Sequence, residues 1–306
     1  MFRTKFAIFI SAVLLSASAF AGTLTFTTID NQDDPTFNQL LGINNNGVIS
    51  GYFGSGAAGH PNKGYTIAPP YTKFVSDNLP GSVQTQATGI TANGTTVGFW
   101  APTNLGVGLD ANFGFIRENN DFTYLSVNDP LVSSSPEVNQ LLGMNSANIA
   151  VGFYMDSTGA THGYTYGVKT GVFTEVTVQG ATSTAVTGIN NHNLICGSFT
   201  DGAGVTEGFV QPITGGVITI FTVPGTTTTQ LLGINDSGLA VGFYLDSNGI
   251  PHGLVYNPVN GAWTEVNDKK GTMGTTLNGI NDKNDAVGFY TDAAGNTHGL
   301  LVTGVE

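Results

Sequence analysis

Cysteine is almost missing from this chain. Cys196 is the only one among 306 residues, so no disulfide can form within it. Arginine is nearly as scarce: Arg3 and Arg117 are the two present, and Lys+Arg number 9 against 21 Asp+Glu. An acidic surface repels phosphate backbones, which excludes nucleic acid as a partner. Polyanionic sugars are excluded too, because they need Arg or Lys clamps. Cations and neutral ligands stay open. A sustained 3.6-residue apolar period is also missing, and with it the sign of amphipathic helices. Beyond residue 21 no run approaches 18 apolar residues, so no membrane span is expected. What the chain has instead is glycine, 43 residues of it, with only 10% charged residues. That composition suits tight turns and closely packed strands.

Residues 1–21 read as a secretory signal. Arg3 and Lys5 form a positive start, Phe6 to Leu15 an apolar run, and Ala19-Phe20-Ala21 a small-x-small cleavage site. Residues 22–306 are then one secreted domain, periplasmic or extracellular. Without Arg3 and Lys5, seven Lys+Arg stand against 21 Asp+Glu, a net charge of −14.

The rest of the chain is repetitive. Gly42-Ile43-Asn44, Gly89-Ile90-Thr91, Gly143-Met144-Asn145, Gly188-Ile189-Asn190, Gly233-Ile234-Asn235 and Gly279-Ile280-Asn281 recur at intervals of 47, 54, 45, 45 and 46 residues. Six copies at this period indicate a propeller or a solenoid. Each copy divides into four short strand-like runs between turn signals. In the fifth copy the turns are Asn235 to Gly238, Asp246 to Gly249 and Asn257 to Gly261. The ends decide between the two architectures. The last copy stops after three runs, while the run Thr23 to Ile29 resembles a fourth run such as Val217 to Val223. The expected fold is therefore all-β: a six-bladed β-propeller of four-stranded blades, closed by the N-terminal strand completing the last blade. A solenoid has no reason to split one unit between its two ends.

Three copies share a longer pattern: Val151-Gly152-Phe153-Tyr154, then Asp156 with Gly159, then His162-Gly163; Val241 to Tyr244, Asp246 with Gly249, His252-Gly253; and Val287 to Tyr290, Asp292 with Gly295, His298-Gly299. In these residues the chain resembles bacterial extracellular repeat proteins of the HAF type. The resemblance spans the mature chain and implies a repeat fold, but no activity. His-Ala-Phe itself is absent, and Lys63, Asn112 and Glu207 stand near the histidine position in the other copies.

The candidate chemistry divides into repeated and unrepeated residues. Asp156, Asp201, Asp246 and Asp292 precede glycine turns, and a turn-capping role outweighs ligation there. No dense Asp-x-Asp-x-Asp loop is present, so no cofactor is expected; Ca²⁺ is the one ion to which these oxygens leave an opening. His162, His252 and His298 fall in different blades, too far apart for one metal. Cys196 occupies a position held elsewhere by valine and reads as a small apolar residue. An aromatic ends the second run of every copy, including Trp100, Tyr154, Tyr244 and Tyr290. Such rings are core residues or, alternatively, platforms for sugar faces, with Asp156, Asp246 and Asp292 accepting hydroxyl hydrogen bonds. Departures from the repeat are better guides to a site. The insertion Ala101 to Asn112 follows Trp100, and a longer loop, Gly54 to Lys63, carries His60. A binding site is expected around Trp100, Asp110 and the loop of His60. The expectation is a non-catalytic binding propeller for neutral carbohydrate or cell-wall material, with a glycan or a surface protein as partner. The alternative is a hydrolase or lyase acting on a glycan at the funnel mouth, with Asp156 and Asp246 as acid and base.

Overall fold

The structure, a computed structural model, describes residues 23–118 and 123–305. The expected secretory signal lies outside the described residues. Among the described residues twenty-four antiparallel strands form six four-stranded sheets. Blades one to five span residues 38–76, 84–127, 139–176, 181–221 and 229–265, and each runs from an inner strand to an outer one in chain order. Blade six takes its three inner strands from residues 275–303 and its outer strand, Thr25–Thr28, from the other end of the chain. That strand pairs antiparallel with the last one, from Thr25 opposite Thr303 to Thr28 opposite Leu300. The ring is closed as the sequence predicts. Among the described residues no helix is long and apolar enough to cross a membrane.

Glycine sets how tightly the ring closes. A Cβ on Gly233 would sit 3.0 Å from the Cα of Gly279, one on Gly279 would sit 3.2 Å from that of Gly42, and one on Gly42 3.0 Å from that of Gly89. The six glycines thus face one another around the axis, where no side chain fits. A β-bulge precedes each of them, as between Leu231 and Gly233, and turns the strand end toward its neighbour. The glycine of Val-Gly-Phe-Tyr answers a second constraint. A Cβ on Gly152 or Gly242 would lie 2.0 or 1.9 Å from the carbonyl oxygen of Gln140 or Gln230 on the inner strand.

Asparagine then ties each blade to the next. The Asn235 side chain caps its own turn by accepting from the Leu239 N–H, and its Nδ2 donates to the Asn281 carbonyl. Asn281 does the same to Asn44, Asn44 to Thr91, Asn145 to Asn190, and Asn190 to Asn235. Five of six links are made this way. The sixth is lost because Thr91 carries no amide. An outer ring repeats the idea, with the N–H groups of Asn191, Asp236 and Asp282 donating to Asp236, Asp282 and Asn45 of the following blade.

The apolar core is a set of layers between blades. Val97, Ile116 and Val127 of blade two pack with Leu141, Tyr154 and Tyr164 of blade three. Val151 and Val176 of blade three pack with Val186, Ile195 and Phe209 of blade four. Strands enclosed on both faces need apolar residues at successive positions, which explains the Ala-Val-Gly-Phe-Tyr runs. Cys196 is fully buried in the layer between blades four and five. Burial pushes its thiol up to about 12, so it is an inert packing residue.

Candidate functional site

In blades three to six, short Asp turns join the second strand to the third. Asp246 Oδ1 accepts the N–H groups of Asn248 and Ile250, and Gly249 completes the turn at φ +78. Asp156, Asp201 and Asp292 make the same pair of bonds. Blades one and two carry the long loops instead, and these rise side by side from the same face. Asn104 Oδ1 accepts the Gly59 N–H at 2.7 Å, and its Nδ2 donates to the Gly56 carbonyl at 3.0 Å. With the segment Ser134 to Val138 between blades two and three, they wall an off-axis cavity of about 890 Å³ over blades one to three.

Asp110 lines the cavity, but its carboxylate is engaged in shaping the wall. It is buried, and its carboxylate accepts from Thr103 Oγ1, Gln84 Nε2 and the N–H groups of Leu105 and Gly106. Burial favours its neutral form, but these donors together outweigh that and hold the carboxyl below its ordinary range. Trp100 is half-buried, lines the cavity and lies 5.2 Å from the Phe113 ring. Its Nε1 is buried and has no partner among the described residues.

The floor is made of aromatic rings and carboxamides. Phe99 and Phe153 stand opposite Gln86 and Gln140 on the inner strands. Gln86 Nε2 donates to Asn62 Oδ1 at 2.8 Å, and Gln140 Nε2 to Asn112 Oδ1 at 2.7 Å. Among the described residues no cationic side chain lines the cavity. Lys63 turns its Nζ to the Val83 carbonyl, and Arg117 is buried against Asp77 at 2.7 Å.

Of the predicted site residues, Trp100, Asp110 and Asp156 are brought to this cavity, and the His60 loop forms part of its wall. The His60 side chain itself is exposed and does not line it. Tyr154 and Tyr290 are buried between blades, at 5% and 3% exposure. Tyr244, Asp246 and Asp292 belong to blades five and six, outside the cavity.

These residues instead form three copies of one cluster. Tyr154 stacks on His162, Tyr244 on His252 and Tyr290 on His298, with ring centroids 4.8, 5.0 and 5.0 Å apart. Each imidazole lies between two carboxylates: Asp156 and Glu175, Asp246 and Glu265, Asp292 and Asp30. The hydrogen bond to Asp156 holds His162 above the ordinary imidazole range. Burial opposes the charge on His298, but Asp30 and Asp292 outweigh it and hold that ring above the range too. Asp156 lies well below the usual carboxylate range through His162 and its turn donors, and Asp292 is pulled down to about 2, chiefly by the Asn296 N–H. Among the described residues no group of three or more His, Cys, Asp or Glu is arranged to hold a metal ion.

The architecture has solved counterparts. AofleA from Arthrobotrys oligospora superposes with a TM-score of 0.57 at 12% identity, over 93% of this chain and 93% of that one. A triple arginine-to-alanine mutant of the same protein gives 0.54 at 12% identity, over 93% and 94%. A chain of a nidogen/laminin complex gives 0.49 at 10% identity, over 81% and 85%. The likeness to AofleA shows the fold alone. No family model and no curated protein matches the sequence.

Two sets of site residues escaped sequence reasoning. Glu175 and Glu265 sit on outer strands, and Asp30 follows the N-terminal strand. The repeated Thr-Glu-Val at 174–176 and 264–266 was the available signal. Gln86 and Gln140 lie within the inner strands Gln84–Ile90 and Asn139–Met144. Their signal was a glutamine three residues before the ring glycine, as in Gln39, Gln86, Gln140 and Gln230. Opposite Trp100, where the other blades have a histidine, lysine or glutamate, the structure places Phe113, one residue beyond Asn112.

Proposed function

We propose that this chain is a secreted binding propeller for neutral carbohydrate or cell-wall glycan, of the HAF extracellular repeat type. The observation that carries the reading is the cavity over blades one to three. Aromatic rings and carboxamides line it, with no cation to hold an anionic ligand. Sugar rings present apolar faces to aromatics and hydroxyls to amide donors and acceptors. Its size falls in the range of about 300–1,000 Å³ that accommodates small organic ligands. A glycoside hydrolase would need two carboxylates facing one bond. Asp156 and Asp246 lie in blades three and five, and each is engaged by its turn and its histidine.

Thermal denaturation of the mature protein tests this against neutral glycans, acidic glycans, and Ca²⁺ with EDTA. A ligand that binds only the folded state raises the Tm. The expected result is a rise with a neutral glycan that Trp100→Ala removes, and no rise with uronate-rich glycans. A flat response to every neutral glycan would refute the reading. A fall with EDTA that Ca²⁺ restores would assign the Asp turns to metal.

A further inference from the structure

The cavity floor repeats itself. Gln86, Phe99 and Asn62 at the junction of blades one and two have direct counterparts in Gln140, Phe153 and Asn112 at the junction of blades two and three. In each unit the asparagine is oriented by its own loop. Asn62 Nδ2 donates to the Gly54 carbonyl, and Asn112 Nδ2 to that of Asp110. That fixes Oδ1 toward the glutamine and so fixes which way the glutamine amide points. Each glutamine spends one Nε2 hydrogen on the asparagine. Among the described residues Oε1 and the second Nε2 hydrogen have no partner, and both glutamines are half-buried in the cavity lining. A half-buried amide with an unused donor beside an unused acceptor matches two neighbouring hydroxyls of one sugar ring. The phenylalanine across the strand pair supplies an apolar surface beside it.

Among the described residues the other junctions lack this unit: Gln39 of blade one faces Tyr52, whose hydroxyl donates to its Oε1. Blade four has Ala185 opposite Ser198, and blade six has Thr276 opposite Phe289. Gln230 of blade five keeps its Phe243, but has no asparagine partner and lies outside the cavity. The duplication is therefore confined to the walled region. The cavity volume sits near the top of the range for small organic ligands, so a single sugar ring leaves much of it empty.

Resting on the carbohydrate reading above, we propose that the cavity holds two equivalent adjacent subsites, Gln86 with Phe99 and Gln140 with Phe153. These take consecutive units of a linear, uncharged oligosaccharide. Linking two units turns the second contact into an intramolecular one, which raises affinity without any new kind of contact.

Isothermal titration with cello-, xylo- and chito-oligosaccharides of one, two and three units tests this. In the series that binds, the monosaccharide is expected to saturate at two per chain and the disaccharide at one. Affinity rises at least tenfold from one unit to two, and less than threefold from two to three. Gln86→Ala and Gln140→Ala should each reduce the monosaccharide stoichiometry to one and bring disaccharide affinity down to the monosaccharide level. Gln230→Ala should change neither, and the melting temperature of each variant reports whether it is folded. Equal affinity for one and two units, or one monosaccharide per chain, overturns the paired subsites while leaving the carbohydrate reading standing. Binding of an uncharged Gly-Ser peptide in place of every sugar, or no binding in any series, overturns both.

Discussion

Alanine at position 197 should damage this ring far more than alanine at position 202, five residues along the same hairpin. Both glycines belong to blade four, and neither has a positive φ. A Cβ on Gly197 would lie 2.1 Å from the Ala185 carbonyl oxygen and 2.9 Å from the Phe209 ring. The oxygen belongs to the inner strand, so no rotamer change relieves the overlap. The two strands must part by roughly 1 Å to restore ordinary contact. Forcing a methyl into a packed site costs about 1–3 kcal/mol. Ladder hydrogen bonds stretched between Ala185 and Ser198 add about 1 kcal/mol each. The expected loss is about 3–5 kcal/mol, which at about 2 °C per kcal/mol for a chain of this size lowers the Tm by about 6–10 °C. Gly202 meets nothing within 4 Å. Alanine there restricts the unfolded chain and should be neutral or stabilising by up to about 1 kcal/mol. Calorimetry of the two variants beside the parent protein decides the matter. A Gly197→Ala melt within 2 °C of the Gly202→Ala melt would refute the packing account of the repeated Val-Gly motif.

Other perturbations probe the axis, the clusters and the cavity wall. Asn235→Ala removes one blade-to-blade donor and one turn cap from a buried site, and should cost about 2–3 kcal/mol in chemical denaturation. Thr91→Asn supplies the missing sixth link and should gain about 1 kcal/mol; a loss would show that Thr91 is kept for its own bonds to Asn93 and Thr95. Asp156 and Asp292 are depressed, so their contribution is present above the ordinary carboxylate pKa and disappears as pH falls through the lowered values. His162 and His298 are raised, so theirs is complete below the ordinary imidazole pKa and disappears as pH rises through the raised values. Melting temperature should therefore plateau between about pH 4 and 6.5 and decline above it. The double variant His162→Gln, His298→Gln should flatten that decline, and an unchanged slope would refute the assignment. Asp110→Asn gives up acceptor capacity shared among four donors, so amide exchange across residues 103–110 should quicken while the inner strands stay protected.

The ring was legible because every blade solves the same packing problem with the same residues. Gly-Ile-Asn recurs because six strand ends converge and each must reach its neighbour, and a period of that kind survives in one dimension. The closure was legible because the missing fourth strand had a spare copy at the other end. The cavity was legible only in outline. Its walls are insertions, and the loops around Trp100 and Asp110 announced themselves by breaking the period. Its floor is not an insertion. Gln86 and Gln140 sit at regular positions, and what sets them apart is a partner in the preceding blade, Asn62 or Asn112, 24 or 28 residues away. Asp110 shows the converse. Its position in the insertion marked it out, but its oxygens are consumed by the loop they organise. Asp30 was hidden for a topological reason, since it meets His298 across 268 residues.

The strand Thr25–Thr28 has a consequence for the order of assembly. Hairpins within a blade join residues about ten apart, whereas this latch joins Thr28 to Leu300. By loop-closure entropy alone the latch is about 3 kcal/mol harder to form than a hairpin. It becomes favourable once blades one to six are stacked and its two halves are held close together. Of the described strands, the first in chain order is then the last to dock, and blade six waits with an unpaired edge running Leu300-Leu301-Val302. An uncovered apolar edge of that kind invites a strand from another chain. The latch therefore sets a period of vulnerability that ends only when Thr25–Thr28 pairs with Leu300–Thr303.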